Sequence, residues 1–393
     1  MVCFEIEYWN INRILLLIIG MWPYQQSKLV QFQIILCYGI LISIIVVQLS
    51  AFLTTECTVN FFIKNLSAVL YFCLYVIFYN SFWVNISFVR HLLNYIQYIY
   101  DELKDENEIA IIESYGYEAK RCTAAFTLLG VSCLLIAIVQ PWIPCILNTF
   151  LLINDSQPYR SVYIITEYFV DKEKYFYLIL LHVNVVFCLG TFVLVGTGTM
   201  LLACSRCICG MFKIASYRIE QALEINIAVN LKNDIMIYNK IIHAVDIHRK
   251  ATMIIKSLIS NFEGSFVCTI MFCVTCLSLN LFQISQYISF GGSVEQLMLH
   301  GIAICIILVY IFISNYFAQE MLDHNSHIFA TVYNTRWYTA PLYIQKMILF
   351  LLQRGTKVLT LNVGGLFSAS LESIATLISA SISYFAVLCS TQY

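Results

Sequence analysis

Charged side chains are scarce in this chain of 393 residues, at 11% against about 25% in soluble proteins. Proline and glycine are also few, with 5 and 15 residues, so no linker, disordered tail or separate soluble domain is indicated. A net charge of −1 does not point to a nucleic-acid partner. These shortages exclude an ordinary soluble globular protein, and we expect a single domain over residues 1–393.

Seven long stretches carry no Asp, Glu, Lys or Arg at all. They are Leu29–Thr55, Asn65–Val89, Cys122–Asn154, Tyr175–Ser205, Gly264–Val294, Gln296–Gln319 and Ser373–Tyr393. A helix of roughly 20 apolar residues crosses the hydrocarbon core of a bilayer, and each stretch is long enough. We therefore predict an all-α protein of the lipid bilayer with seven transmembrane helices, at about 29–53, 63–89, 122–148, 175–204, 264–290, 295–319 and 363–390.

The basic residues indicate how the spans are oriented, because Lys and Arg are retained on the cytoplasmic side of a membrane. The N-terminus and every second connection after it hold 18 of the 22 basic residues. This distribution predicts a cytoplasmic N-terminus and, after seven spans, an extracellular C-terminus. A G-protein-coupled receptor has the reverse orientation, so the count argues against that class.

The predicted cytoplasmic connections are long and carry helical patterns. Apolar residues recur at helical spacing in 90–113 and 209–261, and Trp337–Leu352 is amphipathic. We expect these segments to form a cytoplasmic helical anchor bundle, the alternative being solvated loops. The short apolar run Ile14–Ile19 is interpreted as a helix on the cytoplasmic leaflet, with Trp22 at the depth of the headgroups.

Motifs of enzymes and metal sites are missing from the sequence. It contains no HExxH, GxSxG or Gly-rich phosphate loop, so we expect no enzyme activity and no cofactor. Cys207 and Cys209 lack a second pair at ligand spacing, and we predict no metal site. Only the third span contains proline, at Pro141 and Pro144. A transporter built from two repeats has a broken helix at corresponding positions of both halves, so the single broken span argues against that class.

The predicted outer halves of spans two, three, four and six are rich in aromatic and aliphatic residues. A pocket lined in this way suits a small apolar ligand with few hydrogen-bonding groups, although ordinary helix packing would produce the same composition. The candidate ligand-binding residues are Phe62, Leu70, Val139, Trp142, Ile143, Phe176, Tyr177, Phe187, Leu299 and Ile304.

The seventh span differs from the others in carrying an acidic residue among small hydroxylated ones. A charge within lipid costs roughly 2.5–3.5 kcal/mol, so Glu372 is expected to face a partner or water. With Ser383 and the other serines of this helix, Glu372 is a candidate for an aqueous path, and tight packing of small residues is the alternative. In the third-to-fourth connection, Asn154-Asp155-Ser156 is a candidate glycosylation site.

Several short motifs resemble those of insect odorant receptors, particularly the hymenopteran branch. They occur along nearly the whole chain and in the family's order. They are Ile18–Pro23, Glu167–Asp171 with Lys174–Tyr177, Cys209–Phe212, Tyr333-Asn334 with Trp337-Tyr338, and Ser383–Leu388.

The resemblance implies a ligand-gated, non-selective cation channel that forms a tetramer with an obligate co-receptor. It implies a small volatile odorant as ligand and the plasma membrane of olfactory neuron dendrites as location. The seventh helix would line the pore, with Val387 and Thr391 at the outer gate. Ser390 stands where the co-receptor has Gln, which indicates a tuning subunit. The alternatives are a gustatory receptor channel and a G-protein-signalling receptor.

Overall fold

The computed structural model describes residues 7–25, 27–56, 58–142, 164–223, 231–291, 294–357, 359–365 and 367–390, and these are almost entirely helical. The helices are α1 (Asn10–Ile18), α2 (Lys28–Thr54), α3 (Val59–Val84), α4 (Ile86–Glu102), α5 (Glu106–Val139), α6 (Phe176–Leu223), α7 (Leu231–Phe290), α8 (Val294–Asn334), α9 (Leu342–Gly355) and α10 (Leu371–Ser390). Short 3₁₀ turns occupy Gln140–Trp142 and Trp337–Thr339.

Seven helices within the described residues are long and apolar enough to cross a membrane. They are α2, α3, α5, α6, α7, α8 and α10, with hydropathies between 1.7 and 2.5 over their most apolar windows. Each one overlaps a predicted span, which confirms the seven-helix architecture. The orientation of the two termini stays a prediction.

Three of the long helices begin at side chains that cap their free backbone N–H groups. Ser27 Oγ accepts from the Val30 N–H at the start of α2, and Thr58 Oγ1 accepts from the Phe61 N–H at the start of α3. Asp105 caps α5 by accepting from the Asn107 N–H. Such caps satisfy donors that have no partner inside the helix, and they set where the polar connections end.

Four helices continue well beyond their apolar spans at the end of the bundle that we predict to be cytoplasmic. α5 begins at Glu106, α6 ends at Leu223, α7 begins at Leu231 and α8 ends at Asn334. Together with α4 and α9, the parts of these four helices beyond the apolar spans form a set of helices that we call the helical extension. Its position matches that expected for the anchor bundle. One ion pair inside it joins α5 to α6: Arg218 Nε and Nη2 donate to the Glu108 carboxylate at 2.6 and 2.7 Å.

The start of the seventh span differs from the prediction. Instead of a helix from residue 363, Asn362–Val363 and Phe367–Ser368 pair as an antiparallel β-hairpin, with Asn362 opposite Ser368 and Val363 opposite Phe367. The reason is the turn: Gly364 and Gly365 adopt φ values of 63° and 65°, which favour glycine and interrupt a helix. The transmembrane helix α10 therefore begins at Leu371.

One face of the N-terminal helix α1 packs on the bundle, whereas Ile14 and Ile18 on its other side are 51% and 41% exposed, and its position on the leaflet stays a prediction. Trp22 is 5% exposed, and Asn12 is fully buried. The Asn12 side chain donates to Thr199 Oγ1 of α6 at 3.0 Å and accepts from Thr123 Oγ1 of α5 at 3.3 Å. Gly196 makes this close approach possible, since a Cβ there would lie 3.3 Å from Cβ of Leu15.

Helix α6 is the central element of the core. It packs against α1, α2, α3, α5, α7 and α8, and most of its residues from Val193 to Leu223 are buried or half-buried. Its apolar surroundings explain why a single long helix can be hydrophobic around much of its circumference. The helices that surround α6 leave between them the cavity described next.

Candidate functional site

A cavity of about 380 Å³ lies inside the bundle beside α6. Its walls come from α3, α5, α6, α7 and α8, from the segment 361–369 that contains the hairpin, and from Leu377 of α10. Most of the lining side chains are aliphatic or aromatic, such as Phe126, Leu194, Ile270 and Phe367. A volume of this size within apolar walls is typical of sites for small ligands.

Two tyrosines of α3 form one polar feature of the cavity wall. Tyr71 and Tyr75 are one helical turn apart, and the Tyr75 hydroxyl donates to the Tyr71 hydroxyl at 3.0 Å. Within the described part of the chain, the hydrogen of the Tyr71 hydroxyl has no acceptor. The pair therefore leaves one hydrogen-bond donor available at the cavity.

Thr269 of α7 forms a second polar feature. Its side chain is 3% exposed and lines the cavity, and Oγ1 has no hydrogen-bond partner among the residues that the structure describes. A buried hydroxyl without a partner is costly, and most such groups in native proteins bond to the protein, to ordered water or to a bound molecule. Thr269 is thus a second point at which a ligand could be held.

Glycines of α6 shape the cavity in two different ways. A Cβ at Gly190 would lie 2.2 Å from the ring of Tyr75, so Gly190 lets that ring pack directly on the backbone of α6. At Gly198, which lines the cavity, a Cβ would meet no atom within 4 Å. The space beside Gly198 is therefore part of the open volume.

Part of the cavity wall is also exposed on the flank of the bundle. Leu129 of α5 is 47% exposed and Val309 of α8 is 40% exposed, and both line the cavity. Their helices pack on α6, which contributes the wall between them. Two helices that line the cavity, α5 and α8, therefore also carry lining residues that are exposed on the chain.

The candidate ligand-binding residues lie elsewhere in the bundle. None of the nine that fall within the described residues lines the cavity. Phe187 packs on Phe72, with ring centroids 5.4 Å apart, and Trp142 stacks on Tyr177 at 6.3 Å. Phe62 is 46% exposed.

Two of the remaining candidate ligand-binding residues are adjacent in sequence to residues that line the cavity. Leu70 and Ile304 each precede a cavity residue, Tyr71 and Cys305, and a step of one residue turns a helix by about 100° onto a neighbouring face. The others are exposed, half-buried or buried without reaching the cavity: Val139, Leu299 and Phe176. As a ligand site the set stays a prediction.

The candidate pore residues that the structure describes lie on the exposed side of α10. Glu372 is exposed in the first turn, where the positive end of a helix favours a carboxylate. Ser383 and Val387 are one turn apart and exposed, whereas Ser381 is fully buried. The Ser381 backbone oxygen accepts from Ser278 Oγ of α7 at 2.9 Å. The polar and apolar gate candidates therefore share a face that is not packed within the chain.

Three predicted positions, Ile143, Asn154 and Thr391, fall outside the described residues. Cys207 and Cys209 are both buried in α6. Within the ranges that the structure describes, no three His, Cys, Asp or Glu side chains come together as metal ligands would.

Seven apolar helices, six of which line an apolar cavity, define a multi-pass membrane protein. A comparison with protein families adds the particular family. The model of the 7tm odorant receptor family matches residues 58–382, and the chain belongs to this family.

Individual relatives agree with this assignment. The chain is 25% identical over 134 residues to a putative odorant receptor 85d of Drosophila melanogaster, a match that covers 34% of this chain and 29% of that protein. It is 19% identical over 161 residues to the odorant receptor coreceptor of Aedes aegypti, covering 40% and 32%. The matches thus span about a third of these relatives.

A solved structure resembles the fold over its full length. The insect olfactory receptor OR5 from Machilis hrabei in complex with eugenol has a TM-score of 0.81 and 16% identity, and the match covers 99% of this chain and 98% of that one. The similarity at this level of identity concerns the fold.

Proposed function

We propose that this chain is the ligand-binding subunit of an odorant-gated, non-selective cation channel. In this proposal it assembles with an odorant receptor co-receptor as a hetero-tetramer in the plasma membrane of olfactory neuron dendrites. Membership of the odorant receptor family supports the proposal, as do the matches to a coreceptor and to a receptor in complex with eugenol.

The observation that carries the proposal is an apolar cavity whose wall includes the hydroxyls of Tyr71 and Thr269, each with hydrogen-bonding capacity left open among the described residues. Its volume of about 380 Å³ suits a volatile molecule, and its walls provide no charged side chain among the described residues. Tyr71 and Thr269 supply polar contacts on two different helices, α3 and α7. The ligand class that fits is a neutral, mainly apolar molecule with one or two oxygen atoms.

Charged ligands would be disfavoured at this site. An ion transferred into an apolar wall loses its hydration, which costs several kcal/mol unless an opposite charge compensates. A neutral ester, ketone, alcohol or phenol loses much less, and each hydroxyl of the wall returns about 1 kcal/mol. This difference selects uncharged volatiles over amino acids or nucleotides.

Binding would open the channel only by favouring the open arrangement. A ligand shifts a closed–open equilibrium by the difference between its affinities for the two states, whatever its absolute affinity. A wall that changes when the pore opens would supply this difference, and Leu377 of α10, the candidate pore helix, is part of the cavity wall. A ligand in the cavity would therefore contact α10 directly.

The experiment is to record currents from cells that express this chain with and without the co-receptor, over a panel of volatiles. We expect odorant-evoked currents when both subunits are present. Thr269→Val should raise the half-maximal concentration of oxygen-containing ligands several-fold. Thr275→Val is the matched control, because Thr275 lies on the same helix, is exposed and bonds only the Met271 oxygen of its own helix. Equal effects of both changes would count against the cavity as the site.

The pore is tested separately by cysteine accessibility. Ser383→Cys and Val387→Cys should become blockable by a hydrophilic thiol reagent when the channel is open. Ser381→Cys serves as the buried control on the same helix. A tag at the C-terminus should be reached by antibody on intact cells, and cytoplasmic staining would contradict the proposed topology.

A further inference from the structure

The first turn of α10 is held by side chains of α8. Asn315 Oδ1 accepts from the Ser370 N–H at 3.3 Å, and Gln319 Oε1 accepts from the Leu371 N–H at 3.4 Å. The N–H groups at the start of a helix have no partner within it, so the two amides cap α10 from the neighbouring helix. Asn315 and Gln319 are one turn apart on α8, and the start of α10 is therefore tied to that turn.

Asn315 also belongs to the cavity. Its side chain is 5% exposed and lines the cavity, and its Nδ2 donates to the Ile311 oxygen of its own helix at 2.9 Å, which fixes the orientation of the amide. Gln319 does not line the cavity. One residue of this pair thus contacts both the cavity and the candidate pore helix.

The chain that leads into α10 contacts the same cavity. Leu361, Val363, Phe367 and Ala369 line it, so the hairpin segment itself is part of the cavity wall. The hairpin tip is fixed at a separate point, because the Gly364 N–H donates to Glu263 Oε1 of α7 at 2.9 Å.

Close packing restricts the hairpin further. A Cβ at Gly364 would lie 2.6 Å from Cγ2 of Val267, so the tip rests directly on α7. The hairpin segment is held at its tip and leads directly into the capped helix α10. A displacement of the residues that face the cavity is therefore transmitted to α10. Packed elements of this kind shift between discrete arrangements and do not deform gradually.

We infer that Asn315, Gln319 and the segment 361–369 couple occupancy of the cavity to the position of α10. This inference rests on the proposed function and adds the route by which the ligand acts. A ligand in the cavity displaces α8 and Phe367 relative to one another, and the Asn315 and Gln319 amides carry that displacement to the first turn of α10. Asn315, Gln319 and Glu263 are positioning residues, since they act through the segment that they hold.

The decisive variant is Gln319→Leu, which removes one of the two caps without touching the cavity. Currents are recorded with the co-receptor, using C6–C10 alcohols, esters and phenols including eugenol. Binding of the volatile that is most active on the unaltered chain is measured by the thermal shift of the purified complex. We expect the maximum current to fall at least fivefold while the apparent affinity changes less than twofold. Ser326→Ala is the control, because Ser326 lies on the same helix outside the cavity, is exposed and bonds only the Asp323 oxygen of that helix.

A second pair of variants guards against a simple loss of folding. Glu263→Leu removes the acceptor at the hairpin tip and should reduce the maximum current in the same way. Glu263→Gln keeps an oxygen for the Gly364 N–H and should restore it. An unchanged maximum current in Gln319→Leu and Glu263→Leu, or a parallel loss of affinity, would overturn the coupling. The absence of any evoked current from the unaltered chain would instead refute the proposed function, and the coupling with it.

Discussion

The Tyr71 hydroxyl provides a sharp test of what the cavity recognises. Replacing Tyr71 with Phe removes one oxygen and leaves the ring, which packs edge-on against Tyr75 with centroids 5.2 Å apart. The ligand then loses the only donor that the Tyr71–Tyr75 pair offers to it. Shape and apolar area of the wall stay nearly the same, so the change isolates one hydrogen bond.

The size of the effect follows from the surroundings of the hydroxyl. A hydrogen bond between neutral groups contributes about 1 kcal/mol net, which corresponds to about fivefold in affinity. We therefore expect Tyr71→Phe to raise the half-maximal concentration of ketones and esters about fivefold. Hydrocarbons of equal length have no acceptor and should respond as before.

The companion variants separate ligand recognition from stability. In Tyr71→Phe the Tyr75 hydroxyl loses its acceptor, and a buried unpaired donor costs about 1–3 kcal/mol. The double change of both tyrosines to Phe removes that unpaired group and should recover the stability while it still lacks the ligand contact. Tyr75→Phe alone leaves the Tyr71 hydroxyl in place and should keep the preference for ketones and esters.

The assay is a set of concentration–response curves for matched ketone and hydrocarbon pairs, with thermal stability of the purified complex measured in parallel. A loss of response that is equal for both members of each pair would refute the hydrogen-bond argument. So would a loss of the ketone preference in Tyr75→Phe. Either result would mean that the tyrosines act through packing.

Three further predictions concern other parts of the molecule. Gly198→Leu should fill the open space of the cavity and weaken long ligands by about fourfold for each methylene displaced, since a buried methylene contributes about 0.8 kcal/mol; a homologous alcohol series measures this. Glu108→Gln should destabilise the helical extension by about 3 kcal/mol, because it leaves the Arg218 guanidinium without its carboxylate, and the additional change Arg218→Met should lessen the loss of thermal stability. The hydrogen bond from Lys172 holds the pKa of Glu167 below its ordinary value. The ionised carboxylate therefore stabilises the folded segment 164–175 above about pH 4, and this stabilisation should weaken as the pH falls through the lowered pKa. Hydrogen exchange of that segment measures the loss, and Glu167→Gln should abolish its pH dependence.

The spans could be predicted from the sequence because length and the absence of charge are properties of the chain itself. The run Leu29–Thr55 differs from α2, Lys28–Thr54, by one residue at each end. The same criterion failed at residue 363, where an uncharged stretch forms a hairpin. The adjacent glycines Gly364 and Gly365 were the available signal, since such a pair favours a tight turn between short strands.

The cavity could not be predicted in the same way, because its position depends on which faces of several helices meet. Tyr71 and Tyr75 recur at the spacing of one helical face, and Leu70 lies on the next. Nothing in the periodicity of α3 distinguishes a face turned towards α6 from one turned towards α7. The packing of one face of α1 on the bundle was equally hidden, because it depends on a contact between Leu15 and Gly196, which are far apart in the chain.

The outward exposure of Leu129 and Val309 has a consequence for how the receptor samples its surroundings. Where these side chains border acyl chains, the membrane becomes a reservoir between air-borne molecules and the protein. Each added methylene enriches a volatile in that reservoir by about fourfold over water. Supply to the cavity and clearance from it would then depend on the lipids, and two cells with the same receptor but different membranes would differ in the speed of their response.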